Sequence, residues 1–322
     1  MILTKFFIPL SLGFAFVLMT MPLFIAYFKM KKMGQAIREE GPQAHLAKQG
    51  TPTMGGAVFL TSIVVTSIIT GIWLNQLTAT FWSVLFILAL YGLLGFLDDF
   101  IKVFKKRNLG LNSKQKLIGQ IIGGVILYII MKSQNISDAL TLPFIGEVNL
   151  GIFYGAFAIF WLVGFSNAVN LTDGIDGLVS GLATISFGTY AIIACIQEQY
   201  DIMLICVATI GALVGFFVYN KKPAKIFMGD VGSLALGGML AAISILLHQE
   251  WTLLLIGLVY VLETASVIIQ VASFKLTGKR VFKMSPIHHH FELSGWSEWK
   301  IDIVFWIVGL VMSGLTLIIL YL

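Results

Sequence analysis

Charge is scarce in this sequence. Asp, Glu, Lys and Arg make up 11% of its 322 residues, against roughly 25% in soluble globular domains, which excludes a soluble enzyme. Cysteine is nearly absent. Cys195 and Cys206 are the only two, both inside apolar runs, so there is neither a disulfide framework nor a cysteine zinc site. No inverted repeat, low-complexity tract or soluble domain is visible, which counts against a secondary transporter. Hydrophobic residues are what the chain has instead, at 58%. They fall in runs of about 17 to 24 residues, the length that crosses a hydrocarbon core of about 30 Å. The sequence reads as an all-α polytopic membrane protein forming one domain over residues 1–322. Its net charge of +5 then reflects the Lys/Arg bias of cytoplasmic loops, with no need for a nucleic-acid partner.

Ten transmembrane helices are expected, near 6–28, 54–74, 80–97, 116–132, 150–169, 177–197, 202–219, 233–249, 251–274 and 301–321. The first run is too long for a signal-peptide core, lacks a small-residue cleavage site and ends in Lys29, Lys31 and Lys32, so it reads as a retained span. Every Lys and Arg except Lys5 and Lys132 lies in the segments after spans one, three, seven and nine. Cations stay in the cytoplasm, so both termini are expected outside. The outer connection 133–149, with Pro143 and Gly146, is expected to form a small external hairpin. The chemistry should lie on the inner face, where the longer, charged and Gly-rich segments gather.

Asp98 and Asp99 end span three in GFLDDF. Two carboxylates at a helix C-terminus oppose its dipole at about 0.3–1 kcal/mol each. A divalent cation, or Lys102, Lys105 and Lys106, could offset that. Helical neighbours point about 100° apart, so the two acids should differ in role. In NAVNLTDGIDG, Asn167, Asn170, Asp173 and Asp176 recur every three residues. Each such step drifts about 60°, so they converge only if Gly174 and Gly177 open the backbone; the alternative is a polar helix end with a glycine cap, but a cap does not need two acids and two amides. Asp230, in FMGDVGS, could cap span eight, as could Ser233. Gly229 and Gly232 beside a helix N-terminus also suit a phosphate and its metal.

The last inner segment holds His288, His289 and His290 in a row. Consecutive imidazoles diverge and cannot mimic a three-histidine zinc site, but they can donate to phosphate oxygens. KQGTPTMGG offers Lys48 and Thr53 for a phosphate, while Gly55 and Gly56 could fix an irregular backbone at the membrane surface or equally serve close helix packing. Glu263 is a lone acid within span nine, either functional or paired. Carboxylates from three inner segments with lysines, histidines and no thiolate suggest Mg²⁺ or Mn²⁺ holding phosphate oxygens. That suits transfer from a soluble phosphorylated donor to a lipid phosphate.

PTMGG, FLDDF, NLTDGIDG, FMGDVGS and SPIHHHFE together resemble the MraY family of phospho-N-acetylmuramoyl-pentapeptide transferases, in family order from about Gln35 to the last span. The aspartate motifs are shared with the wider polyprenyl-phosphate N-acetylhexosamine-1-phosphate transferases; PTMGG with SPIHHHFE points to the narrower branch. The resemblance implies ten transmembrane helices in a bacterial inner membrane and a cytoplasmic active site. It implies Mg²⁺-dependent reaction of UDP-N-acetylmuramoyl-pentapeptide with undecaprenyl phosphate to give lipid I and UMP, and is compatible with a homodimer. By motif, Asp98 and Asp99 become lipid-phosphate-side acids, Asp230 the metal ligand, and His289 a further catalytic group. Asn170, Asp173, Asp176 and Asn220 would line the cleft. Lys48, Thr53, Lys102, Lys114, His288 and His290 would face phosphate or nucleotide, Phe227 would stack on uracil, and Gln270 would face the nucleoside. Two alternatives remain at this point: a sister transferase using UDP-N-acetylglucosamine, and a lipid flippase or transporter. A transporter would more often carry several midplane ionisable residues, where this chain has only Glu263.

Overall fold

The computed structural model describes residues 2–31, 48–104, 110–143 and 145–322. Five predicted inner cations, Lys32, Arg38, Lys105, Lys106 and Arg107, lie outside the described residues. In chain order the elements are α1 (Ile2–Met30), α2 (Gly55–Leu74), α3 (Ala79–Phe104), α4 (Ser113–Ser133), β1 (Ala139–Leu142), β2 (Gly146–Asn149), α5 (Phe153–Thr172), α6 (Leu178–Ile196) and α7 (Tyr200–Asn220). They continue with α8 (Asp230–Leu246), α9 (Thr252–Ile256), α10 (Leu258–Thr277), α11 (Ile287–Glu292) and α12 (Glu298–Tyr321).

Among the described residues, nine helices are long and apolar enough to cross a membrane: α1 to α7, α10 and α12. The predicted eighth span appears as α8, which is apolar but has 17 residues. It is the axis of the bundle. Every residue from Val231 to Leu246 is buried, as expected of a helix that is apolar all round, and α2, α3, α5 and α6 pack against it. Lipid tails are as apolar as leucine, so close helix approach depends on small residues. A Cβ on Gly95 of α3 would lie 2.1 Å from the Asp230 carbonyl oxygen, and one on Gly56 of α2 would lie 2.3 Å from Gly232 N. The glycines of PTMGG therefore serve packing here.

Three departures from the expected spans bear on the site. Helix α3 continues past residue 97 to Phe104, so Asp98, Asp99 and Lys102 are all helical. Helix α4 starts at Ser113 because Asn112 and Gln115 form a capping box: Gln115 N donates to Asn112 Oδ1 (2.8 Å) and Asn112 N to Gln115 Oε1 (3.0 Å). The predicted ninth span breaks at Gly257 into α9 and α10; a Cβ there would lie 2.7 Å from Leu253 O.

The expected hairpin is present, with β1 and β2 antiparallel and Ala139 opposite Asn149. It sits beyond the far end of α4, where Lys132 pairs with Asp138. At the other end of the bundle the segments following α1, α3, α5 and α7 meet. Gly55 N donates to Phe227 O (2.9 Å), Leu111 N to Asp98 Oδ1 (2.7 Å) and Ala224 N to Asp176 Oδ2 (2.9 Å).

Candidate active site

Asp98, Asp99 and Asp230 each bring a carboxylate oxygen within 4.8 Å of the other two. The first two are almost fully buried. Lys102, one turn along α3, places Nζ 2.5 Å from Asp98 Oδ2, 3.2 Å from Asp230 Oδ2 and 3.9 Å from Asp99 Oδ1. Lys116, from the first turn of α4, lies 2.7 Å from Asp230 Oδ2 and 3.1 Å from Asp98 Oδ1. The adjacent acids face different neighbours. Asp98 faces the lysines and the start of α4, whereas Asp99 Oδ2 accepts from Val231 N (3.1 Å) at the start of α8.

Asp230 is the first residue of α8 and does not cap it; Gly229 holds that position with φ 77°. The Asp230 carboxylate is thus free of the backbone. Its Oδ1 accepts from Asn170 Nδ2 (2.9 Å), which also donates to Ser233 Oγ (2.9 Å), and Ser233 donates back to Gly229 O (3.1 Å). Ser233 is likewise no cap.

Helix α5 ends at Thr172 and α6 begins after Gly177, whose φ is 87°. The backbone opens at the two glycines, and the four polar residues divide among three neighbours. Asn167 turns to buried Gln120 (3.1 Å). Asn170 and Asp173 join the acid cluster. Half-buried Asp173 has its pKa pushed up to about 8, first by desolvation and then by Asp230, Asp99 and Asp176. Asp176 enters a separate network: its Oδ1 accepts from Lys48 Nζ (2.7 Å), and Lys48 also donates to Glu298 Oε2 (2.8 Å). Burial opposes the Lys48 charge, yet the bonds to Asp176 and Glu298 outweigh it and raise its pKa.

The remaining sequence-predicted residues are more dispersed. Thr53 is buried close to Gly229 and Asp99. Lys114 is exposed, about 200° round α4 from Lys116. Asn220 uses both amide atoms internally, accepting from Ser180 Oγ (2.8 Å) and donating to Ile226 O (3.1 Å). Phe227 pairs through its backbone with Pro52 and Gly55, and its side chain is half-buried. Gln270 braces the 281–282 backbone, accepting from Val281 N and Phe282 N and donating to Phe282 O. The histidines take separate partners, although the His288 and His289 rings meet edge to face at 4.1 Å between centroids. His288 is fully buried with Nδ1 3.0 Å from Glu263 Oε1, His289 Nδ1 lies 2.6 Å from Glu292 Oε2, and His290 Nδ1 accepts from Lys283 N (3.1 Å). Glu263 thus gains the partner that the sequence alone did not supply. Sequence reasoning passed over Lys116, Glu298 and Lys222 as site residues; the capping box at Asn112 was the available signal for Lys116, since it fixes the rotation of α4.

Among the described residues, three carboxylates meet two ammonium groups in the buried cluster, an excess of acid. Among the described residues, Asp98 Oδ2 accepts no hydrogen bond of good geometry and lies 2.5 Å from Lys102 Nζ. All-oxygen donors with uncompensated negative charge fit a hard divalent cation. The lysines beside them fit phosphate oxygens.

Fold and site together define a polytopic membrane protein whose interior acids and lysines meet at one end of a helical bundle. Residues 81–248 match glycosyl transferase family 4. The chain is 69% identical over 318 residues to the phospho-N-acetylmuramoyl-pentapeptide-transferase of Enterococcus faecalis, covering 99% of each chain. Identity to the protein of the same name is 67% in Enterococcus hirae, over 98% of each chain, and 54% in Listeria monocytogenes, over 94% of each. The chain belongs to glycosyl transferase family 4 and, within it, to the phospho-N-acetylmuramoyl-pentapeptide-transferases.

Proposed function

We propose that the protein transfers phospho-N-acetylmuramoyl-pentapeptide from its UDP donor to undecaprenyl phosphate, giving lipid I and UMP, in a bacterial inner membrane with the acid cluster facing the cytoplasm. Near full-length kinship supports the reaction. The observation that carries the site assignment is the buried triangle of Asp98, Asp99 and Asp230, bridged by Lys102 and Lys116. On this reading α8 completes a set of ten spans with both termini outside, and its length reflects its enclosure by other helices.

The reaction brings two phosphate anions together, so charge neutralisation is the main catalytic need. A lipid-phosphate oxygen attacks the sugar-bearing phosphorus of the donor; that P–O bond forms as the P–O bond to UMP breaks, and UMP leaves as the monoester. Asp230 is the residue that would hold Mg²⁺, with Asp99 within 4.8 Å of it. When bound, the ion supplies positive charge to the diphosphate oxygens. Lys102 and Lys116 leave their carboxylate partners to neutralise phosphate oxygens of the two substrates. Asn170 orients the Asp230 carboxylate through its 2.9 Å bond, and Ser233 fixes that amide. Asp98 takes any proton the lipid phosphate still carries. Lys48 and Asp176 lie on the donor side, with Phe227 beside the uracil.

Purified protein supplied with Mg²⁺, undecaprenyl phosphate and either UDP-N-acetylmuramoyl-pentapeptide or UDP-N-acetylglucosamine tests the reading. The first donor should yield UMP and a lipid-linked muramoyl-pentapeptide, and the second should give a signal near background. A preference for UDP-N-acetylglucosamine would move the protein to the sister reaction. Movement of lipid phosphate across a vesicle without UMP formation would make it a transporter.

A further inference from the structure

Glu298 is the first residue of α12, after the Ser297 N-cap, a place where an acid commonly does no more than complement the helix dipole. Its surroundings are not those of a surface cap. The residue is buried, and both carboxylate oxygens are engaged by lysines from distant parts of the chain. Oε2 accepts from Lys48 Nζ at 2.8 Å and Oε1 from Lys222 Nζ at 3.1 Å. Lys48 is in turn shared with Asp176, and the other Asp176 oxygen accepts from Ala224 N. Four segments thus meet on two carboxylates: the approach to α2, the turn between α5 and α6, the loop between α7 and α8, and the start of α12. The loop held by Lys222 and Ala224 leads directly to Phe227 and Asp230.

We propose that Glu298 is a positioning residue for donor binding. It fixes the Lys48 ammonium between two carboxylates and ties the Lys222–Ala224 loop to α12, so that Lys48 and the 224–230 loop stand ready for the anionic diphosphate. The proposal rests on the reading of Lys48 as a donor contact. Glu298 itself touches no substrate. A carboxylate is required because a carboxamide keeps the shape but accepts more weakly and lacks the charge that holds two ammonium groups. The 2.8 Å bond spans 250 positions of sequence, which is why spacing alone gives no hint of it.

Steady-state kinetics on the full-length protein in detergent test it, with donor and lipid phosphate varied separately. Lys48→Ala should raise the donor KM by about tenfold and Glu298→Gln by about fivefold, the size expected for losing one charge-assisted bond, with kcat and the lipid KM within about twofold. In the Lys48→Ala background Glu298→Gln should add clearly less than its fivefold to the donor KM, because the part that runs through Lys48 is already lost and only the tie to Lys222 remains. Glu298→Asp should recover part of the loss, and it also serves if the Gln variant does not fold. A donor KM unchanged in Lys48→Ala would overturn the donor reading of Lys48, and the inference with it. If Lys48→Ala raises the donor KM and Glu298→Gln does not, only the inference fails. Multiplicative effects in the double variant, or equal loss for both substrates, would make Glu298 a structural cap.

Discussion

At the scale of single residues, helix rotation decides which lysine serves the acids. Lys116 bridges Asp98 and Asp230 while Lys114 points to the opposite side of α4. Lys116→Met should therefore lower kcat by about 100-fold, the size found on removing one preorganised charge or donor. Lys114→Met should change it by less than about threefold on the same grounds. The reverse ranking in steady-state kinetics would contradict the geometry. Asp173 supplies a pH test. Its folded value of about 8 lies above the ordinary carboxyl value of about 3.9, so ionisation favours the unfolded chain. Its contribution to stability declines as pH rises from about 4 to about 8, then levels off. The melting temperature of Asp173→Asn should consequently fall less than that of the unaltered protein between those limits; parallel curves would remove Asp173 from the acid cluster. The aspartates were legible as adjacent acids at the close of an apolar run, although α3 continues to Phe104 and they do not sit at its end; that they face different neighbours followed from the angle of about 100° between them. The choice of Lys116 over Lys114 was not, because it depends on where α4 begins. Likewise Glu263 showed as an anomaly without revealing His288, which folds back from a segment some 25 residues on.

Elements bring these residues to within bonding distance by packing backbone on backbone. Gly95 lets α3 pass the first turn of α8 so closely that an added methyl group would lie 2.1 Å from the Asp230 carbonyl oxygen. Gly95→Ala should cost about 1–3 kcal/mol in stability by overpacking and should depress turnover with it, since Asp230 must shift. Gly314→Ala in α12 meets nothing within 4 Å and should melt and turn over as the unaltered protein does. Equal behaviour of the two variants in thermal unfolding would mean that the α3–α8 approach is not tight. Apolar runs of near-constant length made most spans readable. The break at Gly257 is not legible because a glycine inside a long apolar run has no periodic signature; the backbone leaves the helix there, with φ −96° and ψ 20°. The extension of α3 to Phe104 was hidden by its charges, which hydropathy counts as loop and which here sit in a helix because they pair across to α4 and α8.

For the whole molecule, the cation bias predicts sidedness. In a background lacking Cys195 and Cys206, Ser113→Cys should react with a membrane-impermeant thiol reagent only from the cytoplasm, and Ser137→Cys only from outside. Both positions are exposed, so a reversed pattern would overturn the orientation. The motifs were enough to reach the family, because five short strings in fixed order are specific even where no single one is. What joins them is long-range: Lys48 to Glu298, Asp98 to Asp230, Asn170 to Ser233. The central claim is that one acid–lysine cluster carries out a direct transfer between two bound phosphates, and UMP release measures it most directly. With Mg²⁺ and UDP-N-acetylmuramoyl-pentapeptide but no polyprenyl phosphate, the purified protein should release no UMP. Adding undecaprenyl phosphate should start release, and Asp230→Asn should stay silent under both conditions. A stoichiometric burst of UMP before lipid is added, the mark of a covalent intermediate, or near-normal turnover by Asp230→Asn, would contradict the account.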